Sequence, residues 1–512
     1  MPFENYDVDS DENSDFIYNF IEKVVNKFGP RLPCSEKEKE TAKYLKSELG
    51  KYCDTAETEQ FTLFPNAFLG WFKIVVPTLL IAYVIFYLLV PVNKILASSI
   101  GIALASFALF ILYKQFLRYE EFTPKIFPYK KKTSQNVIGT ITPKNGEPKK
   151  RVVFSGHYDS ARMFNLIRYT RQGYVYFIGG GILGVVEFFF LFVNQLVFTL
   201  GDFHEDGQFM LFVNWFIIII PFFLAFFIFI LGRFDKVFYG SFKVLHPRAI
   251  ISISLCLLYS ALVIIFSYDY MMIDGTIQKT GLIMVISNIP VLTGLFFYWS
   301  GKGSPGAVDN LTSCAVCVCA AKIINEWRES HPNLFPKDTE VVIALFGSEE
   351  AGCRGSEFFA SQRADEWNKI DTTCINMESL VESRYQRVYV RENTTNTDLS
   401  PEAYNLAAKC SEELGIETHL RGMPGIAGGT DAAGLVKGGL KATSIEGINY
   451  KDYMFWYHTP LDNMDMINEK RKPCSDIGSN YKTRNIRCAM ENALKTILLY
   501  MIRKDQENPQ EV

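Results

Sequence analysis

Histidine is scarce in this chain, six residues in 512, and charged residues make up only 21%. The formal net charge is −3, so there is no surplus of positive charge to bind nucleic acid through its phosphates, and no nucleic-acid partner is expected. The amino terminus, MPFENYDVDSDENSDF, lacks both a basic segment and an apolar core, so no cleaved signal peptide is expected. Eleven cysteines are too few and too scattered for a disulfide framework. Cys314, Cys317 and Cys319 cluster in AVCVCAA, but no second Cys or His pair follows at zinc-finger spacing, and they read as small buried helix residues. Many unpaired thiols favour a reducing compartment. No repeat of solenoid period and no low-complexity tract is present. With 48% hydrophobic residues, disorder as the main state is excluded.

What the chain does have is concentrated apolar sequence. Phe is abundant at 42 residues, and the mean hydropathy of +0.07 is high for a soluble enzyme and low for an all-membrane protein. It averages two unlike parts. Six runs, Ile74–Val92, Ile95–Tyr113, Tyr174–Leu200, Met210–Leu231, Ile250–Tyr268 and Gly281–Trp299, approach the length that crosses a bilayer as a helix. Trp71, Tyr113, Tyr174 and Trp299 sit near run ends, as interfacial aromatics do. Glu187 lies inside the third run, where an ionisable group marks a functional site or a neutral, hydrogen-bonded carboxyl. Asn194, Asn214 and Asn288 are candidates for interhelical hydrogen bonds.

Around these runs lie three polar segments, together roughly 330 residues, enough for one well-packed domain. Residues 1–70, 114–173 and 300–512 are expected to form it, interrupted by a two-helix hairpin at 71–113 and a four-helix bundle at 174–299. Helical patterns cover Phe16–Phe28, Glu36–Leu49, Cys314–Trp327, Pro401–Leu414 and Asn492–Ile502, and strand patterns cover Arg151–Ser155, Glu340–Phe346 and Cys374–Met377. Strands alternating with helices predict an α/β fold: a mixed, largely parallel sheet flanked by helices, plus a six-helix transmembrane bundle.

The chemistry-bearing residues sit at strand ends. His157 closes the strand VVFSGH, and Asp159 two residues on falls on the same side, where a carboxylate can orient an imidazole. Asp309 in GAVDN precedes a helix and suits either an N-cap or a bridge between two cations. Glu349 and Glu350 follow the strand Val341–Gly347 directly, at the edge where open α/β sheets bind ligands. Adjacent carboxylates repel unless a cation shares them, and metal-assisted hydrolysis needs one carboxylate on the metal and one free to take a proton. INME ends in Glu378, GGTD ends in Asp431, and YHTPLD carries His458 and Asp462. His157, Asp309, Glu350, Glu378 and His458 are the donor set expected of two metal ions sharing one carboxylate, with zinc suited best and Co2+ or Mn2+ as substitutes.

In this order GHYDS, PGAVDN, FGSEEAGCRGS, INMES, GGTDAAG and YHTPLDN resemble the M28 family of zinc aminopeptidases and carboxypeptidases, and FGPRLPCSEKEKETAKYLKSEL resembles its amino-terminal helices. The resemblance covers the polar segments, and the apolar runs lie outside it. It implies a zinc-peptidase sandwich with two zinc ions, one on His157 and Glu378, one on Glu350 and His458, both on Asp309. It implies Glu349 as general base, Asp159 orienting His157, and Tyr457 hydrogen-bonding the developing oxyanion. Asp431 lacks the aromatic that usually accompanies its position, and its role is left open. Glu378 stands where soluble members more often have Asp, as in membrane-bound members of the endoplasmic reticulum. Insertions of two and four apolar runs keep all three polar segments on one side of a membrane.

The expected activity is hydrolysis of peptides with a free amino terminus by an integral-membrane peptidase. Loops on the peptidase side are rich in Lys and Arg, including Lys130–Lys132, Arg233 and Lys236, whereas the opposite loops are acidic, which places the peptidase domain in the cytoplasm. Membrane-bound relatives with lumenal domains and the sequon Asn393-Thr394-Thr395 argue for the other side. Two rival readings are a glutaminyl-cyclase-like aminoacyltransferase with one zinc and an inactive membrane scaffold.

Overall fold

The computed structural model describes residues 3, 6–170, 173–201, 277–425, 427–450, 453–468 and 485–507. Two of the expected membrane runs, Met210–Leu231 and Ile250–Tyr268, lie outside these residues, as do His204 and His246. The chain divides into two compact units.

The first unit comprises Met1–Phe68, Leu117–Met163 and Gly301–Val512. Its frame is a nine-stranded sheet. The strands are β1 (Thr55–Leu63), β2 (Lys132–Ile141), β3 (Lys150–His157), β4 (Thr339–Phe346), β5 (Asp371–Leu380), β6 (Gln386–Glu392), β7 (Thr397–Asp398), β8 (His419–Met423) and β9 (Ala442–Gly447). They run in the order β1-β2-β4-β3-β5-β9-β6-β8, with β7 paired to β6. The middle strands β4, β3, β5 and β9 are mutually parallel, whereas β1, β2 and the β9–β6 pair are antiparallel. The sheet is therefore mixed: its four middle strands and the β6–β8 pair at one end are parallel, and the other pairs are antiparallel. Burial explains the difference. β3 is buried at every position and reads as a continuous apolar strand, while β1 is an exposed edge of polar residues.

The Leu311–Ser330 helix packs on β3 and β5 and buries every residue from Leu311 to Ala321, including all three clustered cysteines. Close approach of that helix requires Gly156: a Cβ there would meet Ser313 Cβ at 2.8 Å. The Ile486–Gln506 helix lies beside it, with Ile497, Leu498 and Leu499 fully buried. Because the central strands are parallel, their carboxyl ends open on one side of the sheet, and the loops that follow them carry the candidate site.

The second unit comprises Leu69–Phe116 and Phe164–Ser300. Among the described residues three helices, Ala67–Leu89, Lys94–Leu117 and Phe177–Leu200, are long and apolar enough to cross a membrane. The run expected at Gly281–Trp299 forms a helix over Ile277–Phe296 instead and is not among those three. Glu187 accepts a hydrogen bond of 3.3 Å from Asn288 Nδ2, so two of the polar residues singled out in these runs meet within the unit.

Candidate metal centre

His157 stands at the last residue of β3 and is 1% exposed. Its Nε2 lies 3.3 Å from Asp309 Oδ1 and 3.5 Å from Glu378 Oε1. On the other side, His458 Nε2 lies 3.2 Å from Asp309 Oδ2 and 3.3 Å from Glu350 Oε1. The two oxygens of one carboxylate thus face two different imidazoles, and each imidazole has a further glutamate beside it. Asp309 Oδ2, Glu350 Oε1 and Glu378 Oε2 are buried without a hydrogen-bond partner. Buried carboxylate oxygens left this way are costly unless a cation takes them, so the donor set fits metal ions. His157, Asp309 and Glu350 each offer a ligand atom, all within 4.8 Å of one another.

The electrostatics follow from the crowding. Burial alone would depress the two histidines, but facing carboxylates outweigh it: Glu378 and Glu349 raise His157, and Glu350 and Asp309 raise His458 to about 9. Burial works to raise Asp309, yet the two facing histidines hold it well below the usual carboxylate range. Burial pushes Glu378 up to about 8 and raises Glu349 and Glu350 as well. A site that holds this many acids in competition for protons is organised for cations.

Glu349 and Glu350 sit in a tight 3-10 turn, Glu349–Ala351, bracketed by Ser348 and Cys353, both at left-handed φ (56° and 59°). Asp159 holds that turn. Its Oδ1 accepts the Glu349 N–H and its Oδ2 the Glu350 N–H, each at 3.1 Å. Its Oδ1 is also 3.4 Å from His157 Nδ1, so one carboxylate touches both the imidazole and the acid pair. Glu349 Oε2 points toward His157 Nε2 at 3.7 Å, while its Oε1 accepts the Cys353 thiol at 3.2 Å. Tyr457 stacks on His458, ring centroids 3.7 Å apart, and lines the same recess as the five donors. Asp431 opens the Asp431–Lys437 helix fully buried, and burial pushes its carboxyl up to about 7.

Several residues to which the sequence assigned no role hold this site. Asp462 accepts the N–H groups of Val308 (2.6 Å) and Asp309 (3.4 Å), fixing the backbone of the shared carboxylate. Its signal was its fixed place in YHTPLD. Asn310 donates to Met377 O at 3.0 Å and accepts the Ser379 N–H at 3.1 Å, tying the Asp309 loop to the strand end that bears Glu378. Glu38 accepts the Cys34 N–H and the hydroxyls of Ser134 and Ser348, and so anchors the residue before Glu349. Arg31, fully buried, donates to the carbonyls of Tyr158, Pro305 and Gly306 and staples the loops after His157 and before Asp309. Glu38 and Arg31 carried no signal beyond a place in the second amino-terminal helix and in the GPRLP stretch before it, because their partners are remote in sequence.

Eight described cysteines are free, but Cys488 is disulfide-bonded, which runs against the expectation of unpaired thiols. Asn393 of the sequon is exposed.

Among solved structures the chain is similar to a zinc aminopeptidase from Bacillus subtilis, with 13% identity, 94% of each chain covered and a TM-score of 0.44. It is similar to an aminopeptidase from Aneurinibacillus sp. strain AM-1, with 12% identity, 95% of this chain and 92% of that one covered and a TM-score of 0.45. It is also similar to a Bacteroides thetaiotaomicron glutaminyl cyclase, with 10% identity, 96% and 97% covered and a TM-score of 0.41. No curated protein matches the chain in sequence. Residues 294–472 match the model of peptidase family M28, and Asp309, Glu349, Glu350, Glu378 and His458 all fall within that M28-like segment.

Proposed function

We propose that this chain is a membrane-integrated, zinc-dependent peptidase that removes amino-terminal residues from peptides at a two-metal site. The observation that carries the reading is the division of Asp309, with Oδ1 beside His157 and Oδ2 beside His458. One ion would be held by His157, Asp309 and Glu378, the other by His458, Asp309 and Glu350. A zinc pair there would supply Lewis-acid polarisation of the scissile carbonyl and a lowered pKa for the attacking water.

The remaining work belongs to the chain's own residues. Glu349 Oε2 takes the proton of the attacking water and hands it to the departing amine, while Cys353 keeps Oε1 occupied and the carboxylate aimed. Asp159 keeps the Glu349–Glu350 turn in register with His157 through its two backbone hydrogen bonds. Tyr457, stacked on His458, lies where a phenol can donate to the oxygen that gains charge.

The lipid bilayer is the second partner of this reading, supported by the apolar faces that the Ala67–Leu89, Lys94–Leu117 and Phe177–Leu200 helices present. Loop charge favours a cytoplasmic peptidase unit. The Cys488 disulfide and the Asn393 sequon favour an oxidising compartment, and a glycosidase-sensitive mobility shift abolished by Asn393→Gln would assign that side.

The deciding experiment is metal analysis of the purified full-length chain together with hydrolysis of amino-acid amides and blocked peptides. Two zinc ions per chain and cleavage only of substrates with a free amino terminus are expected. One zinc with cyclisation of amino-terminal Gln would replace this reading with the cyclase one. Unchanged hydrolysis by Glu349→Gln would remove the mechanism.

A further inference from the structure

The recess beside the candidate metal ligands contains one buried acid that the proposed mechanism does not use. Glu446 lies on β9 and is 1% exposed. In the parallel β9–β5 pairing it is in register with Glu378. Residues in register on adjacent strands project from the same face of the sheet, one strand spacing apart, or about 4.8 Å. Glu446 therefore flanks the site one strand away from Glu378.

Its surroundings divide between its two oxygens. Oε2 accepts the Tyr389 hydroxyl and lies 3.8 Å from Arg387 Nη1, and neither of these residues lines the recess. Oε1 accepts the Tyr450 hydroxyl at 3.0 Å, and Tyr450 does line it. A carboxylate has about four lone-pair sites, so each oxygen keeps acceptor capacity after these contacts. The same wall continues through Tyr453, whose ring lies 5.2 Å from that of Tyr450 in an edge-on arrangement and 5.2 Å from that of Tyr457. Acid and phenol rings together make an anionic, aromatic lining.

An aliphatic side chain entering this recess would lie beside a buried carboxylate and return it no hydrogen bond or opposite charge. A cationic side chain returns a charge-assisted hydrogen bond and sits well against tyrosine faces. We infer that Glu446, with Tyr450, selects peptides whose first residue is lysine or arginine. This inference rests on the aminopeptidase reading and names its substrate class.

The test uses the zinc-loaded full-length protein and pairs of amino-acid amides matched in shape but not in charge: lysine against norleucine, and arginine against citrulline. The wild-type kcat/KM is expected to favour each cationic member by at least about tenfold. Glu446→Gln should lower that ratio by on the order of tenfold or more with zinc content unchanged, and Glu446→Asp should keep it above the Gln value. Wild-type preference for norleucine, or an equal loss on all four amides in Glu446→Gln, overturns the inference while leaving the aminopeptidase reading intact; the equal loss would assign Glu446 to the α-amino group or to folding. If Glu446→Gln does not fold, the wild-type ratios decide alone. Absence of cleavage of every amide by zinc-loaded protein overturns the aminopeptidase reading, and this inference with it.

Discussion

The two units of this chain bury opposite things. In the first, the Ile486–Gln506 helix turns its large aliphatic residues inward, and so do the central strands, whose ends carry buried acids and imidazoles. In the second, the Lys94–Leu112 helix buries Ala97, Ser98, Gly101, Ala105 and Ala108 while Ile95, Leu96 and Phe110 stay exposed. The Phe72–Leu89 helix exposes Ile81, Val84 and, at 65%, Leu88, although it also buries Leu79 and Phe86. Water drives large apolar groups inside, whereas lipid is as apolar as leucine and leaves close packing of small residues to hold helices together. The difference teaches that apolar content alone says little about an element, and that the outward faces of the second unit are those a lipid-facing helix would present.

The largest expected effect is in the unit that buries charge. Glu349→Gln should lower kcat by about 10²–10⁴-fold with zinc retained, measured by amide hydrolysis beside elemental analysis. A loss of zinc in parallel would instead make Glu349 a ligand. Next is Asp462→Asn, which should weaken metal binding by roughly 10–100-fold in chelator competition, because it disturbs the backbone that presents Asp309. Unaltered affinity would make those hydrogen bonds merely structural.

The buried acids also set a pH dependence for the metal-free protein. Burial raises Glu392 and Glu446 to about 7 and Asp462 to about 8. A folded state with raised carboxyl pKa values binds more protons than the unfolded chain above about pH 4.5. Its stability is therefore greatest near pH 4.5 and falls as pH rises from there toward 7 to 8, by at most roughly 1.4 kcal/mol per group per pH unit, levelling off above the folded-state pKa values. Denaturant midpoints of chelator-treated protein should be lower at pH 8.5 than at pH 6, and a rise would contradict the burial argument.

In the second unit the effects are smaller and depend on the face. A Cβ at Gly101 would meet the Phe192 ring at 2.5 Å, so Gly101→Leu should destabilise by about 1–3 kcal/mol in detergent unfolding. The smallest effect is expected of Leu88→Ala, within about 0.5 kcal/mol in the same assay, because it changes an outward face. If Leu88→Ala cost as much as Gly101→Leu, the inside-out reading of this unit would be lost.

Legibility in the sequence followed burial and locality. Arg151–Ser155, Glu340–Phe346 and Cys374–Met377 read as strands because they are short apolar runs, and the structure extends each by a few residues. β1 and β2 escaped notice, since TAETEQFTL and KTSQNVIGTI are polar sequences that pair with each other at one side of the sheet. The five candidate ligands that the structure gathers in one recess were legible because few side chains bind metals and each sits at a strand end or in a short motif. Asp159 was legible only in part: its nearness to His157 follows from a two-residue spacing, but its hold on Glu349 and Glu350 spans a separation no local pattern reveals.

By itself the sequence determined which groups are able to act and where apolar helices can form, because ligand chemistry belongs to particular side chains and a helix's apolar length is written in consecutive residues. Only the tertiary structure decided that the two oxygens of Asp309 face different histidines, that Arg31 and Glu38 brace the site, and that Glu446 stands beside Glu378. Those relations join residues from separate stretches of chain, and they exist only once parallel strands have brought their carboxyl ends to one edge.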